Sequence, residues 1–354
     1  MTRIVAAAAA LPPNRYAQED ITDLFAEVVL TDSSRRPVLE RLHKATTVRS
    51  RHLVLPLAEY GDLGGFGSSN DRFLDAAVNL GEQAVSRALA SAGLDPADVD
   101  IIVSTTVTGV AVPSLDARLV PRLGLRADVR RVPLFGLGCV AGAAGIARTH
   151  DLLAGDPDGV AVLVSVELCS LTLQRHDESM ANLVGSGLFG DGAAAVVLVG
   201  ERRAQELGLE GPEVLDTRST FYPDTERVMG WDIGGSGFTL VLDSTVADVV
   251  EQNLGSDVTR FLAEHQLTPG DVGHWLAHPG GPKVLEAMQR ALDLPGDPFS
   301  VTWASLADIG NLSSSSVLHV LAETLRAHPP ATGVPAVMTA MGPGFCSEIV
   351  LLRW

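Results

Sequence analysis

Leu94-Asp95-Pro96-Ala97-Asp98-Val99 is echoed 173 residues later by Leu267-Thr268-Pro269-Gly270-Asp271-Val272. Each copy follows a helix-like stretch and leads into a strand-like run. Before the first, Phe73, Ala77, Leu80 and Ala84 recur at helical spacing, Ser68 to Asn70 offer capping side chains and Gly93 offers a stop, which predicts a helix over 70–93. After it, Asp100 to Thr106 reads as a buried strand. The second copy lies between a helix-like Thr245 to Glu264 and a strand-like His274 to Ala277. A second echo lies in nearly the same register: Gly138-Cys139 falls on Gly310-Asn311, 172 residues on, and each dipeptide opens an apolar, small-residue helix. Two echoes at nearly the same offset predict an internal duplication that puts the cysteine and the asparagine in equivalent places.

Outward from these anchors, Gly159 to Glu167, Ala193 to Val199, Val334 to Ala340 and Ile349 to Leu352 read as strands covered on both faces, and Ser313 to Ala327 as a helix. The expected organisation is α/β, with an N-terminal half over 1–205 and a C-terminal half over 206–354. Residues 201–244, rich in Gly, Arg, Glu and Pro, contain the join and an excursion over the site.

The 354 residues, 46% of them hydrophobic, suffice for a sizeable core, and 35 glycines with 5% aromatics predict close packing of helices on sheets. A formal charge of −17 disfavours general attraction to nucleic acid or anionic lipid. Ile4 to Leu11 reads as a first strand rather than a signal peptide, and no run approaches the roughly 20 apolar residues of a membrane helix. Cys139, Cys169 and Cys346 lack metal-type spacing, so no metal site is expected, and reduced thiols in the cytoplasm are the expectation.

Three segments carry chemistry. In Phe135-Gly136-Leu137-Gly138-Cys139-Val140-Ala141-Gly142 a glycine-rich turn delivers a thiol to a helix N-terminus, where amides and the macrodipole favour thiolate. His278 ends a predicted strand and precedes the rigid Pro279-Gly280-Gly281-Pro282, in the position where open α/β sheets place their sites. Its imidazole there serves to pair with a thiolate or to donate to a developing oxyanion. Asn311 is either a helix cap or, by equivalence with Cys139, an amide donor at the same seam. Gly234-Gly235-Ser236-Gly237 lacks the context of a dinucleotide loop and reads as a turn.

Taken together, Gly138-Cys139-Val140-Ala141-Gly142, Leu188-Phe189-Gly190-Asp191-Gly192-Ala193, Ala277-His278-Pro279-Gly280-Gly281-Pro282, Gly310-Asn311-Leu312-Ser313-Ser314 and Gly342-Pro343-Gly344 resemble the chalcone synthase-like type III polyketide synthases, among the thiolase-fold condensing enzymes. The resemblance runs over nearly the whole chain. It implies a five-layer αβαβα fold of two duplicated halves, a homodimer, and catalysis by Cys139, His278 and Asn311. It also implies Phe189 and Phe238 as gatekeepers, Cys169, Thr172, Val107, Val112 and Ser313 at the cavity, and Lys44, Arg49 and Arg51 on coenzyme A. Ala340-Met341 stand where Gly-Phe is usual before Gly-Pro-Gly, a departure in the cavity floor.

The function so implied is iterative decarboxylative condensation of malonyl-CoA onto an acyl-CoA starter held on Cys139. Cyclisation to a pyrone, resorcinol or related ring follows, with an alkylpyrone or alkylresorcinol as the expected product. No cofactor is expected beyond the coenzyme A thioesters used as substrates. The alternatives are a single-condensation enzyme of the ketoacyl synthase III kind and a cysteine-dependent acyl-CoA thioesterase.

Overall fold

The computed structural model describes all 354 residues. In chain order the strands are β1 (Thr2–Ala10), β2 (Asn14–Ala17), β3 (Ser50–Leu53), β4 (Ile101–Thr105), β5 (Arg130–Leu134), β6 (Val160–Leu168), β7 (Asp191–Gly200), β8 (Glu213–Phe221), β9 (Met229–Gly234), β10 (Gly237–Leu242), β11 (His274–Ala277), β12 (Pro335–Gly342) and β13 (Cys346–Arg353). Nine of them hydrogen-bond in the order β11-β12-β13-β8-β1-β7-β6-β4-β5, while β2 with β3 and β9 with β10 form two-stranded ribbons.

The order exposes the duplication. From the β1–β8 junction outward, the N-terminal half runs β1, β7, β6, β4 and the C-terminal half runs β8, β13, β12, β11. In each half the first two pairings are antiparallel and the last is parallel. The echoed hexapeptides are the turns that feed β4 and β11. Both are capping boxes, with Asp98 accepting from the Asp95 amide at 2.9 Å and Asp271 from the Thr268 amide at 2.8 Å.

Strand alternation divides the core into three slabs. Val160, Val162, Val164 and Val166 of β6 pack towards the outer helix Phe66–Ala92, whereas Ala161 and Leu163 face the middle. In the other half Ile349 and Leu351 of β13 join the outer helices Val246–Glu264 and Pro282–Ala291, and Val350 and Leu352 face the middle. The middle slab holds the helices Ala141–Ala154 and Ser315–Ala327 between the two half-sheets. Helix, sheet, helix, sheet, helix is thus the layer order.

A helix covered on every side must be apolar and slender. Ala141 to Ala147 is a buried run of alanine and glycine broken only by Ile146, and a Cβ on Gly142 would meet the Ser314 carbonyl oxygen at 2.3 Å. No helix is long and apolar enough to cross a membrane.

Two helix starts differ from expectation. The first outer helix begins at Phe66 behind Gly65, not at a side-chain cap, because Asn70 is used elsewhere, bonding both backbone groups of Val110 at 2.8 and 2.9 Å. The last central helix begins at Ser315, since Ser313 lies in the left-handed region with φ +48°.

Candidate active site

Cys139 lies in a single 3-10 turn, Gly138–Val140, at the start of the central helix Ala141–Ala154. Gly138 takes φ +57°, and a side chain there would meet the Pro343 ring at 2.6 Å, so this glycine both turns the chain and admits the Gly342-Pro343-Gly344 segment. The thiol of Cys139 approaches the Ser313 hydroxyl at 3.7 Å.

Asn311 enters from the equivalent turn of the other half. Its backbone bridges Leu188 and Gly190, with N–H to the Leu188 carbonyl and C=O from the Gly190 amide, both at 2.9 Å. Its Oδ1 accepts from the Ser313 amide at 2.8 Å and the Ser316 hydroxyl at 3.3 Å. These bonds hold Ser313 in its left-handed conformation and consume the amide oxygen, leaving Nδ2 as the group available to a ligand.

His278 follows β11, tied by its amide to the Thr339 carbonyl at 2.9 Å. Both ring nitrogens are buried without a partner. Such an imidazole is a rare expense in a folded protein and marks a group waiting for a ligand. Cys139, His278 and Asn311 line one cavity, together with Phe189, Met229, Leu242, Met341 and Phe345 among others. Ala340 and Met341, the departure noted in the sequence, form part of its wall.

The cavity opposes one expectation drawn from the helix end. Burial pushes the Cys139 thiol up to about 12, against the smaller opposing effect of Ser313, and burial alone holds His278 down to about 3. Desolvation thus acts against the charged form of both groups, opposing the pull of the helix terminus on the thiol.

A second cavity adjoins the first across Phe189, which lines both. Cys169 and Thr172 line this cavity and not the one that holds Cys139, and Trp231 and Leu240 of the β9–β10 ribbon cover it. Only that ribbon of the 201–244 stretch is an excursion over the site, with Gly234 to Gly237 at its turn; Glu201–Leu207 is a helix and Glu213–Phe221 is β8 of the main sheet.

Other sequence assignments need correction. Phe238 lies on the same face of β10 as Leu240 but two residues away along the strand, where it packs edge-on against Phe66 at 5.3 Å and lines neither cavity. Leu240 and Leu242 occupy the place given to it. Val107 is buried but lines neither cavity, and its amide donates to Glu167 at 3.1 Å. Val112 is 98% exposed and lines neither cavity. Arg51 is 1% exposed and cannot meet an external phosphate, whereas Lys44 and Arg49 are at the surface, Arg49 paired with Asp308 at 2.6 Å.

Two buried carboxylates inside the signature strands escaped the sequence reading. Glu167 accepts from Thr106, Val107, Thr108 and Ser314, joining the two halves beside the site. Asp191 accepts from the Val54 and Ser170 amides at 2.7 and 2.8 Å. An acid within an apolar strand was the available signal.

A duplicated condensing-enzyme fold with a thiol, an imidazole and a carboxamide in one pocket agrees with comparison to known proteins. Residues 1–202 match the family model of the chalcone and stilbene synthase N-terminal domain, and residues 213–354 match that of the C-terminal domain. The chain is 55% identical to 1,3,6,8-tetrahydroxynaphthalene synthase of Streptomyces peucetius subsp. caesius over 100% of this chain and 93% of that one. It is 32% identical to 3,5-dihydroxyphenylacetyl-CoA synthase of Streptomyces toyocaensis, covering 99% and 90%. The crystal structure of 1,3,6,8-tetrahydroxynaphthalene synthase from Streptomyces coelicolor A3(2), a bacterial type III polyketide synthase, superposes with a TM-score of 0.93 at 30% identity, covering 99% of both chains. The chain belongs to the chalcone and stilbene synthase family, the type III polyketide synthases, which are acyltransferases.

Proposed function

We propose that Cys139 carries the growing chain while His278 and Asn311 manage charge at the thioester oxygen of the extender. The observation that supports this most is the buried imidazole with two unpartnered nitrogens in the cavity that also holds the thiol and the carboxamide. In the loading step the Cys139 proton passes to His278, sulfur attacks the acyl-CoA carbonyl, and the carbon–sulfur bond to coenzyme A breaks. The proton leaves on the coenzyme A thiol, and Cys139 is acylated.

Malonyl-CoA then loses carbon dioxide, the electrons of the broken carbon–carbon bond moving onto the thioester oxygen as an enolate. Asn311 Nδ2 and the N–H of neutral His278 donate to that oxygen. Removing one such donor typically costs about 2.7–4 kcal/mol of transition-state stabilisation. The enolate carbon attacks the Cys139 thioester, forming a carbon–carbon bond and expelling the Cys139 thiolate. The β-ketoacyl-CoA reloads onto Cys139, is extended again, and finally cyclises.

In this reading the enzyme uses no cofactor, the halves 1–205 and 206–354 share one site, and Lys44 and Arg49 face the coenzyme A phosphates. Cytoplasmic residence suits both the thioester substrates and three free thiols. A homodimer is supported by the open edge of β5 together with the exposed apolar side chains Val112 and Phe135. Incubation with labelled malonyl-CoA and a panel of acyl-CoA starters, with products identified by mass, tests the reading. Extended products that vanish in Cys139→Ala are expected; acyl-CoA hydrolysis without extension would overturn it in favour of a thioesterase.

A further inference from the structure

We propose that Arg51 forms a subsite for an oxygen anion at the far end of the enzyme-bound chain and thereby selects primers that carry one. The inference rests on the polyketide reading above. Arg51 lies in β3, buried to 1% exposure. Its Nε donates to Gln18 Oε1 at 3.0 Å and its Nη1 to the Phe189 carbonyl at 2.6 Å, while Nη2 is buried without any partner. The guanidinium makes no ion pair. The nearby buried carboxylate of Asp191 is spent on Val54 and Ser170.

Burial lowers the guanidinium only to about 10, so it stays charged at neutral pH. Asp191 supplies an opposite charge nearby without bonding the guanidinium, and a buried N–H left without a partner is expensive, so proteins seldom keep one unless something completes it. Arg51 lines the second cavity together with Cys169, Thr172, Ser186 and Trp231. Phe189 separates that space from Cys139, and Arg51 holds the carbonyl of this same residue. A chain tethered to Cys139 and threaded past Phe189 therefore brings its primer end towards Arg51.

Guanidinium recognises carboxylate and enolate oxygens strongly, and a site built to donate a hydrogen bond rejects a ligand that leaves the donor empty. The primer class this geometry favours is short and ends in oxygen. A fatty acyl chain, the primer of an alkylpyrone or alkylresorcinol, would seal the cation against hydrocarbon.

Three primers with the same labelled malonyl-CoA extender decide the matter. Malonyl-CoA alone retains a terminal carboxylate, acetoacetyl-CoA supplies an enolisable ketone, and isovaleryl-CoA replaces the malonyl carboxylate oxygens with methyl groups. Wild-type enzyme is expected to extend one or both oxygen-bearing primers at least about tenfold better than isovaleryl-CoA, and Arg51→Met to shift that ratio at least about tenfold towards isovaleryl-CoA. Preference for malonyl over acetoacetyl primer assigns the ligand as carboxylate, and equal use assigns it as enolate. Wild-type enzyme that extends all three equally overturns the subsite without reference to any variant, as does a folded Arg51→Met that keeps the wild-type ratio. No condensation product from any primer would instead overturn the polyketide reading beneath it.

Discussion

Lowering the pH from about 7.5 to about 5 is expected to remove roughly 5 kcal/mol of folding stability. Burial holds His43 and His278 down to about 3 and His319 to about 4, so all three enter the fold neutral. In the unfolded chain each protonates near 6.5. Groups depressed in the folded state contribute fully above their unfolded value and lose that contribution as pH falls towards the folded one.

Each histidine then costs about 1.4 kcal/mol per pH unit, or about 6 kcal/mol for three between pH 6.5 and 5. Asp191 acts in the opposite sense. Burial raises it to about 6, so the folded state takes up its proton first and part of the loss is restored below pH 6; Glu167 and Glu348, also raised by burial, act in the same sense. The balance is a large part of the 5–15 kcal/mol typical of a folded protein.

Urea titrations followed by circular dichroism at about pH 7.5, 6 and 5, at constant ionic strength, measure the slope directly. His319→Gln keeps a donor for the Ala193 carbonyl, which the imidazole reaches at 3.0 Å, and should reduce the histidine part of the slope by about one third. Because buried carboxyls can offset the histidines in the total, the deciding result is the comparison: a His319→Gln slope equal to that of the wild type would show that this ring is not held neutral. His278 is one of the three histidines, so activity on the acid side should fall with unfolding rather than with a separate titration near 6.5.

Asn311→Asp keeps the acceptor used by Ser313 and Ser316 but turns the free donor into a repelling oxygen, so carbon dioxide release from malonyl-CoA should fall about 10²- to 10³-fold. Gly142→Ala forces a methyl group against the Ser314 carbonyl where the central helices cross, with an expected loss of about 1–3 kcal/mol in thermal or urea unfolding. Arg49→Glu, on the exposed face beside Asp308, should raise KM for malonyl-CoA with little change in kcat, and equal KM values would remove Arg49 from the coenzyme A contact.

The duplicated architecture was legible because its signals are local. A tight hexapeptide turn and a glycine-led helix start are each set by neighbours within a few residues, and their recurrence at offsets of 173 and 172 residues announced two halves. The same locality located Cys139, His278 and Asn311 at the mouths of elements that had to meet. Long-range placement was not legible. Arg49 and Arg51 are two residues apart and chemically identical, yet one is solvated and the other sealed, because only packing against Gln18 and Phe189 encloses the second. Phe238 and Leu240 share a strand face, and only the position of the β9–β10 ribbon over the cavities decides which reaches them. The ionisation of Cys139 followed the same division: its turn favours thiolate, but the enclosing walls from distant parts of the chain remove water, and desolvation acts the other way.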